Sequence, residues 1–474
     1  MRFQDLGISE EVIRALTKLH YQKPLPIQEM TIPHLLAKED VVIRSQTGSG
    51  KSAAFLIPAI QTIDWDLGKV QTLVIAPTRE LSLQLIEEAD AIGLYRRIRS
   101  VLLNGKAKYE PQIQRLKRAH LAIGTPGRIR DHIERGTLDL SALRYLVLDE
   151  ADVLLDMGFL ALIQQIMEKV PESCTIALCS ATIDESLEEL IHTYLHDPRM
   201  LSNEMREMQL KQFVCPLKES DKFTVLCNYA IEKQAESIIV FCNRRESVEQ
   251  LYRKMCAHQI SAVRVHGGLL QKERYEAIEA FRKGHYRFLI ASDVAGRGLD
   301  IADVQLVVQY ELSDDLRKYI HRIGRSARLD QAGESLVLLS DQQQNIWEAI
   351  LPTLTKQPQL LSAAHYLREI NGAALSAPDT KKQKKSELVR NDVVTLYLHG
   401  GKDKKIRIGD IVGVLCQKAA LQAEDIGVIE VRQHGSYVEI LNGKGTEAYH
   451  ALQNTTIKKK KIRVEYAQKS KNER

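Results

Sequence analysis

Ser45-Gln46-Thr47-Gly48-Ser49-Gly50-Lys51-Ser52 is a glycine-rich turn that ends in Lys-Ser. About a hundred residues later, Asp149-Glu150-Ala151-Asp152 sets adjacent carboxylates at the end of the apolar run Leu146-Val147-Leu148. A turn of this kind followed by paired acids is what an enzyme needs to hold Mg-ATP and aim water at it. Backbone N–H groups from Thr47 to Gly50 would converge on phosphate, with Gly48 and Gly50 allowing close approach, while Lys51 reaches the β- and γ-phosphates and the Ser52 hydroxyl ligates Mg2+. Two neighbouring acids at a strand end are badly placed for a solvated face. A metal gives Asp149 a partner, largely through phosphate oxygens and water, and leaves Glu150 as general base. The strict pattern has Gly where Ser45 stands.

These groups need elements to hold them. Val41-Val42-Ile43 is a short β-branched run and a helical stretch opens at Lys51, so the turn lies between a buried strand and a helix N-terminus, where free N–H groups and the helix dipole favour anions. Strand candidates alternate with amphipathic helices at Val41–Arg44, Leu73–Ala76, Leu121–Gly124, Leu146–Asp149 and Ile176–Ser180. The rhythm restarts at Ser237 and continues through Val263–Val265, Phe288–Ala291, Val304–Val308 and Ser335–Leu339, without a second phosphate loop. The expected fold is α/β: two tandem parallel-sheet domains over residues 1–205 and 206–360, sharing one nucleotide, with functional groups at the C-terminal ends of the strands. A hinge is placed at about 203–212, a basic linker at 361–390, and a small α+β domain of order βαββαβ at 391–474.

A chain of 474 residues exceeds what one core accommodates, which supports this division. The start, Met1-Arg2-Phe3-Gln4-Asp5, carries no apolar signal segment, and no run approaches the roughly 20 apolar residues of a membrane span, so a cytoplasmic protein without a membrane partner is expected. The seven cysteines never form a Cys-x-x-Cys pair, which speaks against zinc and for reduced thiols. The net charge of +5 is uneven: residues 381–474 hold 20 Lys and Arg against 11 Asp and Glu, and the remainder 46 against 50. A basic end on a near-neutral body points to a polyanion partner, with a solvated basic tail as the bland alternative.

With these pieces placed, the chain resembles a DEAD-box ATP-dependent RNA helicase over nearly all of residues 1–350, which implies that its two sheets are RecA-like. Tyr21-Gln22-Lys23-Pro24-Leu25-Pro26-Ile27-Gln28, with Phe3 upstream, is similar to the family's adenine-recognition motif. The resemblance implies that Phe3, Tyr21 and Gln28 bind the base, Gln28 through an amide that both donates and accepts. Leu25 stands where the family has Thr. Ser180-Ala181-Thr182 resembles the motif that couples ATP state to RNA grip, bridging Asp152 to His321 of the other domain, although Thr182 would equally cap the next helix.

Tyr319-Ile320-His321-Arg322-Ile323-Gly324-Arg325-Ser326-Ala327-Arg328 resembles the arginine motif; Arg325 and Arg328 share a helix face if the helix continues, and would point at the γ-phosphate. Ser292-Asp293-Val294-Ala295-Gly296-Arg297-Gly298-Leu299-Asp300 resembles the motif that contributes Gly298 and Asp300 to the nucleotide and Ser292 to RNA. The remaining RNA contacts implied by the family fall on Pro77, Thr78 and Arg79, on Asn104 and Gly105, on Thr125, Pro126, Gly127 and Arg128, and on Gly267, Gln271 and Arg274. Short loops with free N–H groups, hydroxyls and arginines suit sugar-phosphate and read bases poorly.

In the last domain Tyr397 and Tyr437 fall on neighbouring central strands, where an RRM-like fold stacks bases, while His434-Gly435-Ser436 lacks one stacking aromatic. Lys402-Asp403-Lys404-Lys405, with Lys404 and Lys405 foremost, and Lys458-Lys459-Lys460-Lys461 offer phosphate contacts at an edge, so both binding modes stay open. With Asn442-Gly443-Lys444-Gly445, the order of core, linker and tail domain resembles the DbpA subgroup of bacterial DEAD-box proteins. That implies a 23S rRNA hairpin as partner and a role in large ribosomal subunit assembly. The expected activity is RNA-stimulated ATP hydrolysis coupled to local unwinding of short RNA duplexes, with ATP and Mg2+ as cofactors; an ATP-gated RNA clamp is the rival reading.

Overall fold

Short apolar runs build two parallel sheets, each covered by helices on both faces, in a computed structural model that describes residues 1–474 except 46–48, 203–209, 294–303, 327–332, 355, 379–392, 454, 459 and 468–474. The first sheet takes β1 (Val41–Arg44), β2 (Thr72–Ile75), β3 (Ser100–Leu103), β4 (Leu121–Gly124), β5 (Tyr145–Leu148), β6 (Thr175–Ser180) and β7 (Arg199–Ser202). Their order is β3-β4-β2-β5-β6-β1-β7. The inner strands are buried except at Arg44, the last residue of β1, whereas β3 and β7 at the edges alternate or expose polar residues. That is why the sequence pattern shows the five inner strands and not these two.

The second sheet takes β8 (Leu210–Pro216), β9 (Ile238–Cys242), β10 (Ala262–Val265), β11 (Phe288–Ser292), β12 (Leu306–Gln309), β13 (Gly333–Leu339) and β14 (Gln359–Leu360), in the order β10-β11-β9-β12-β13-β8-β14. Two boundaries move. Leu210, Lys211 and Gln212, expected in the hinge, are paired with β13; the rest of that hinge, 203–209, lies outside the described residues. Residues 361–378, expected in the linker, are folded onto the second domain. Tyr366 and Leu375 are buried in its core, Asn228 Nδ2 donates to Tyr366 O and Arg368 O at 2.9 Å each, and Ser261 N–H donates to Leu375 O at 3.1 Å. Two isolated apolar side chains in a Gly- and Ala-containing stretch have no period, so only tertiary packing reveals them.

The C-terminal domain is an antiparallel sheet of β15 (Val394–Leu398), β16 (Ile426–Val431), β17 (Ser436–Ile440) and β20 (Val464–Tyr466), with a small hairpin, β18 (Thr456–Ile457) and β19 (Lys460–Lys461), beside it. Alternate residues Leu396, Leu398, Val438 and Ile440 face helices Ile408–Lys418 and Gly445–Gln453, which supply Ile411, Leu415 and Leu452 to a shared core. Among the described residues no helix is long and apolar enough to cross a membrane.

Candidate active site and RNA track

The strand order divides one sheet edge into two halves. β5, β6 and β1 are adjacent, so the phosphate loop after β1, the acids after β5 and Ser180 at the end of β6 converge. Ser45 N–H donates to Ser180 O at 3.0 Å, tying the loop to its neighbour. Lys51 is buried at the start of helix Lys51–Gln61 and its ammonium donates to Ser45 O at 2.5 Å, across the mouth of the loop. Ser49 and Ser52 are half-buried there, while Thr47 and Gly48 lie outside the described residues.

Glu150 adopts a left-handed φ of 48°, a strained conformation for a side chain of its kind. Its Oε2 is buried without a hydrogen-bond partner among the described residues. Leaving a buried carboxylate oxygen without a donor is unfavourable unless something outside the chain supplies one, and a water held for attack is such a group. Asp149, also buried, accepts the Glu150 N–H at 3.0 Å, which fixes the angle between the two acids.

Gln28 joins the adenine motif to the phosphate loop. Its Oε1 accepts the Leu25 N–H at 2.9 Å and its Nε2 donates to Gly50 O at 3.1 Å. An amide oxygen has a second lone pair and an amide nitrogen a second N–H, so both ends retain capacity for an adenine edge. Phe3 is packed among Leu6, Ile8, Val12 and Leu16 in the core, and Tyr21 donates its hydroxyl to Glu88 at 3.2 Å. Gly50 has φ +87°, and a Cβ there would stand 2.6 Å from Leu25 Cδ1 and 2.7 Å from Gln28 Nε2. Gly50→Ala is therefore expected to strain the site by about 1–3 kcal/mol, raising the KM for ATP roughly tenfold or more. Steady-state ATPase assays at saturating RNA measure it, and an unaltered KM would show that loop and amide act separately.

Asp152 connects the two core domains. Its Oδ2 accepts from Ala181 N–H at 3.1 Å, Thr182 N–H at 3.0 Å and the Thr182 hydroxyl at 3.1 Å, and stands 3.4 Å from His321 Nε2 of the second domain. Burial opposes its charge, but His321, the Thr182 N–H and Lys51 outweigh burial and hold the carboxyl well below the usual carboxylate range. Ser180 Oγ donates to Thr182 O at 2.5 Å. The next helix is capped by Asp184, which accepts the Leu187 N–H at 3.0 Å, so Thr182 is left to Asp152.

The helix that carries His321 ends at Ile323, so Arg325 does not lie on a continuing helix as the three-residue spacing suggested. It follows in a turn closed by Arg325 N–H to Arg322 O at 3.2 Å, and its side chain is buried. Arg328, Gly298 and Asp300 lie outside the described residues. Arg322, to which the motif reading assigned nothing, braces this turn. It forks onto Asp293 at 2.5 and 2.7 Å and donates to Gln309 Oε1 at 2.7 Å, Glu311 O at 2.8 Å and Asn243 Oδ1 at 2.8 Å. Arginines so close together look alike in sequence, and only the structure shows Arg322 held by this set of acceptors.

The other half of the edge belongs to β2, β3 and β4. From it rise Pro77-Thr78-Arg79, Asn104-Gly105 and Thr125-Pro126-Gly127-Arg128. Thr78 caps helix Arg79–Ile92 by accepting the Leu81 N–H at 3.2 Å. Gly105 lies against the Arg79 guanidinium, where a Cβ would sit 3.0 Å from Nη2. Burial first, then the charges of Arg128 and Arg274, lower the Arg79 pKa, with Glu80 opposing. Arginines from both domains thus meet here around the Glu80 carboxylate. Arg128 is more enclosed than a phosphate contact requires: it donates to Ala107 O and Gln112 Oε1 at 3.0 Å each and lies 4.0 Å over the Tyr109 ring, so it positions the loop. Glu80, directly after Arg79, was assigned no role by the motif, yet its Oε1 accepts from Gln271 Nε2 at 2.8 Å and meets Arg274 at 2.9 Å across the domain boundary. Gly267 is exposed beside this track, and Ser292 is buried at the end of β11.

A nucleotide half and a polyanion half on one edge, both closed by the second sheet, describe an ATPase that answers to nucleic acid. Residues 25–190 match the family model of the DEAD/DEAH box helicases, 221–330 that of the helicase conserved C-terminal domain, and 395–466 that of the DbpA RNA binding domain. The chain belongs to the DEAD-box ATP-dependent RNA helicases, in their DbpA type. ATP-dependent RNA helicase DbpA of Bacillus subtilis (strain 168) is 36% identical, with 98% of this chain and 99% of that protein covered. Saccharomyces cerevisiae Dbp5 bound to RNA and ADP BeF3 is 30% identical and superposes with a TM-score of 0.70 over 76% of this chain and 96% of its own. A DEAD box protein from Methanococcus jannaschii, also 30% identical, reaches a TM-score of 0.52 over 76% and 99%. The helicase is an RNA-dependent ATPase with an RNA-binding C-terminal domain.

In that domain Glu430, Tyr437, Tyr397 and Glu465 form one row across the outer face of the sheet, in register. The two tyrosine rings lie 4.9 Å apart and Arg432 covers Tyr437 at 4.5 Å. Ser436 faces inward, donating to Gly400 O at 2.7 Å, so its register leaves no outward position for the missing aromatic. The cations gather elsewhere. Lys458 Nζ donates to Lys405 O at 2.8 Å and Lys460 Nζ to Lys404 O at 3.4 Å, which brings the two lysine runs together at one edge.

Proposed function

We propose that this helicase unwinds short RNA duplexes locally, hydrolysing ATP in the cleft between its core domains while residues 391–474 hold a hairpin of 23S rRNA during large ribosomal subunit assembly in the cytoplasm. Gln28 would bind the adenine, the Ser45–Ser52 loop and Lys51 the phosphates, Glu150 would take the proton of the attacking water, and Arg325 with Arg328 would meet the γ-phosphate. Ser52 and Asp149 are hard oxygen donors suited to Mg2+, which when bound supplies charge neutralisation at the β- and γ-phosphates. Thr78, Arg79, Gly105 and Thr125 on one wall and Gly267, Gln271 and Arg274 on the other would follow the RNA backbone.

The observation that carries this reading is the closed apposition of the domains through Asp152 with His321 and Glu80 with Arg274. Each contact joins a nucleotide or RNA motif of one domain to its counterpart in the other, so ATP and RNA favour one arrangement and each strengthens binding of the other.

For the hairpin, the lysine edge is favoured over the sheet face, because the tyrosine row ends in Glu430 and Glu465, which take up Arg432 and Arg463, whereas the lysines of the two runs gather at one edge. Lys404→Glu with Lys405→Glu is expected to weaken hairpin binding and to lower the magnitude of the log K against log salt slope by about 0.7 for each single-strand phosphate that is no longer neutralised. Tyr437→Ala should change affinity by less. Filter binding across a salt series compares the two, and a larger loss in the tyrosine variant would return the site to the sheet face. Crosslinking the full chain to total cellular RNA tests the partner itself: fragments spread evenly over all RNAs would remove the 23S rRNA assignment.

A further inference from the structure

The Asn442-Gly443-Lys444-Gly445 turn has no part in the nucleotide site or the lysine edge, and Asn442 touches the first core domain. Tyr95 donates its hydroxyl to Asn442 Oδ1 at 3.2 Å, while Asn442 Nδ2 donates to Asp425 Oδ1 at 2.7 Å. Beside it, Arg97 donates from Nη2 to Ala423 O at 2.6 Å and from Nε to Ile426 O at 3.1 Å, and Arg14 pairs with Glu424 at 2.6 Å. Arg14 also covers the Tyr95 ring at 4.6 Å, so the groups on the core side support one another. Arg97 has a left-handed φ of 55°, a conformation uncommon outside glycine.

We propose that Arg14, Tyr95 and Arg97 form a platform on which the C-terminal RNA-binding domain docks when the core is closed, and that docking sets the distance between the anchored hairpin and the unwinding track. The exposed Arg14–Glu424 pair is weak by itself. The rigid guanidinium fork of Arg97, aimed at two carbonyls of a turn that Asp425 and Asn442 brace, supplies the geometry.

The hydrogen bonds lie at one end of the small sheet, where Ile426 opens β16 and Asn442 follows β17, and a longer ion pair from Arg118 to Glu430 at 3.8 Å continues the contact along β16. The basic loop is bonded to the opposite end, Lys402 N–H to Arg432 O at 2.9 Å and Asp403 N–H to Gln433 O at 3.0 Å. β16 spans roughly 20 Å between them at about 3.3 Å per residue. The domain is thus held to the core along β16, with the lysine-bearing loop bonded beyond the far end of that strand, as a rigid spacer would hold it. A flexible tether spreads the bound RNA over its whole reach, whereas docking concentrates it at one place. The inference rests on the proposal that the lysine edge carries RNA.

The test uses the full chain. Cys256→Ser leaves Cys416 as the exposed thiol among the described residues, and Glu168→Cys adds a second on the first domain for a fluorescence-transfer pair. With RNA and ADP-BeF3, a narrow, efficient transfer distribution is expected; Arg97→Ala or Arg14→Glu should broaden it, and Arg14→Glu combined with Glu424→Arg should restore it. Unwinding of a duplex tethered to the hairpin should fall about tenfold in Arg97→Ala as effective concentration drops, with ATPase on unstructured RNA unchanged. A broad distribution in the unaltered protein, or an unaltered one in Arg97→Ala, overturns docking. Failure of the unaltered protein to bind the hairpin, with narrow transfer retained, overturns the lysine-edge reading instead.

Discussion

Arg325→Ala is expected to lower the kcat of RNA-stimulated ATP hydrolysis by about 10³–10⁵, the range for removal of an arginine finger. The residue sits in the turn just after the helix that presents His321, so the contact between His321 and Asp152 that joins the domains brings this turn towards the first domain, where the proposed mechanism needs the guanidinium. Its positive charge has most to gain when charge builds on the transferred phosphoryl group, which places the loss in kcat rather than in the KM for ATP. Arg325→Lys should recover little, because an ammonium cannot fork onto two oxygens. Because Arg325 is buried, a thermal melt separates a lost catalyst from a lost fold. A folded Arg325→Ala protein with less than a tenfold fall in kcat would remove the finger from the mechanism.

Glu150→Gln is expected to lower kcat by about 10²–10⁴, the worth of a general base. The replacement keeps the shape of a side chain already held at a left-handed φ, and takes away only the capacity to accept a proton at the unpartnered oxygen. Nucleotide and RNA binding should persist, so the closed complex outlives that of the unaltered protein and RNA release slows. Single-turnover hydrolysis and RNA dissociation are measured together. Unwinding that continues through repeated turnovers in Glu150→Gln would favour an ATP-gated clamp over a motor.

Two features of the cleft underlie both effects. The groups proposed for catalysis on each wall are braced by a neighbour: Asp149 accepts the Glu150 N–H, and Arg322 holds the turn before Arg325. Among the described residues the walls meet through polar contacts at His321 with Asp152 and at Gln271 and Arg274 with Glu80, beside the proposed nucleotide and RNA positions. Polar contacts of this kind can be exchanged for water, so a closure they hold can open again after hydrolysis, whereas an extended apolar interface would hold it shut.

The sequence by itself determined the parts that are continuous along the chain. The phosphate loop, the paired acids and the inner strands of both sheets other than β8 each lie within a run of four to eight residues, so their chemistry and burial pattern appear together in the letters. Edge strands β3 and β7 escaped because half-exposed strands carry mixed residues, and the stretch around Tyr366 and Leu375 escaped because its partners lie more than a hundred residues away. Tertiary structure alone decided that Arg322 is a brace, that Glu80 joins the two walls, and that Asn442 meets Tyr95. Each of those outcomes depends on desolvation and on donors from distant segments, and local order in a chain carries no record of either.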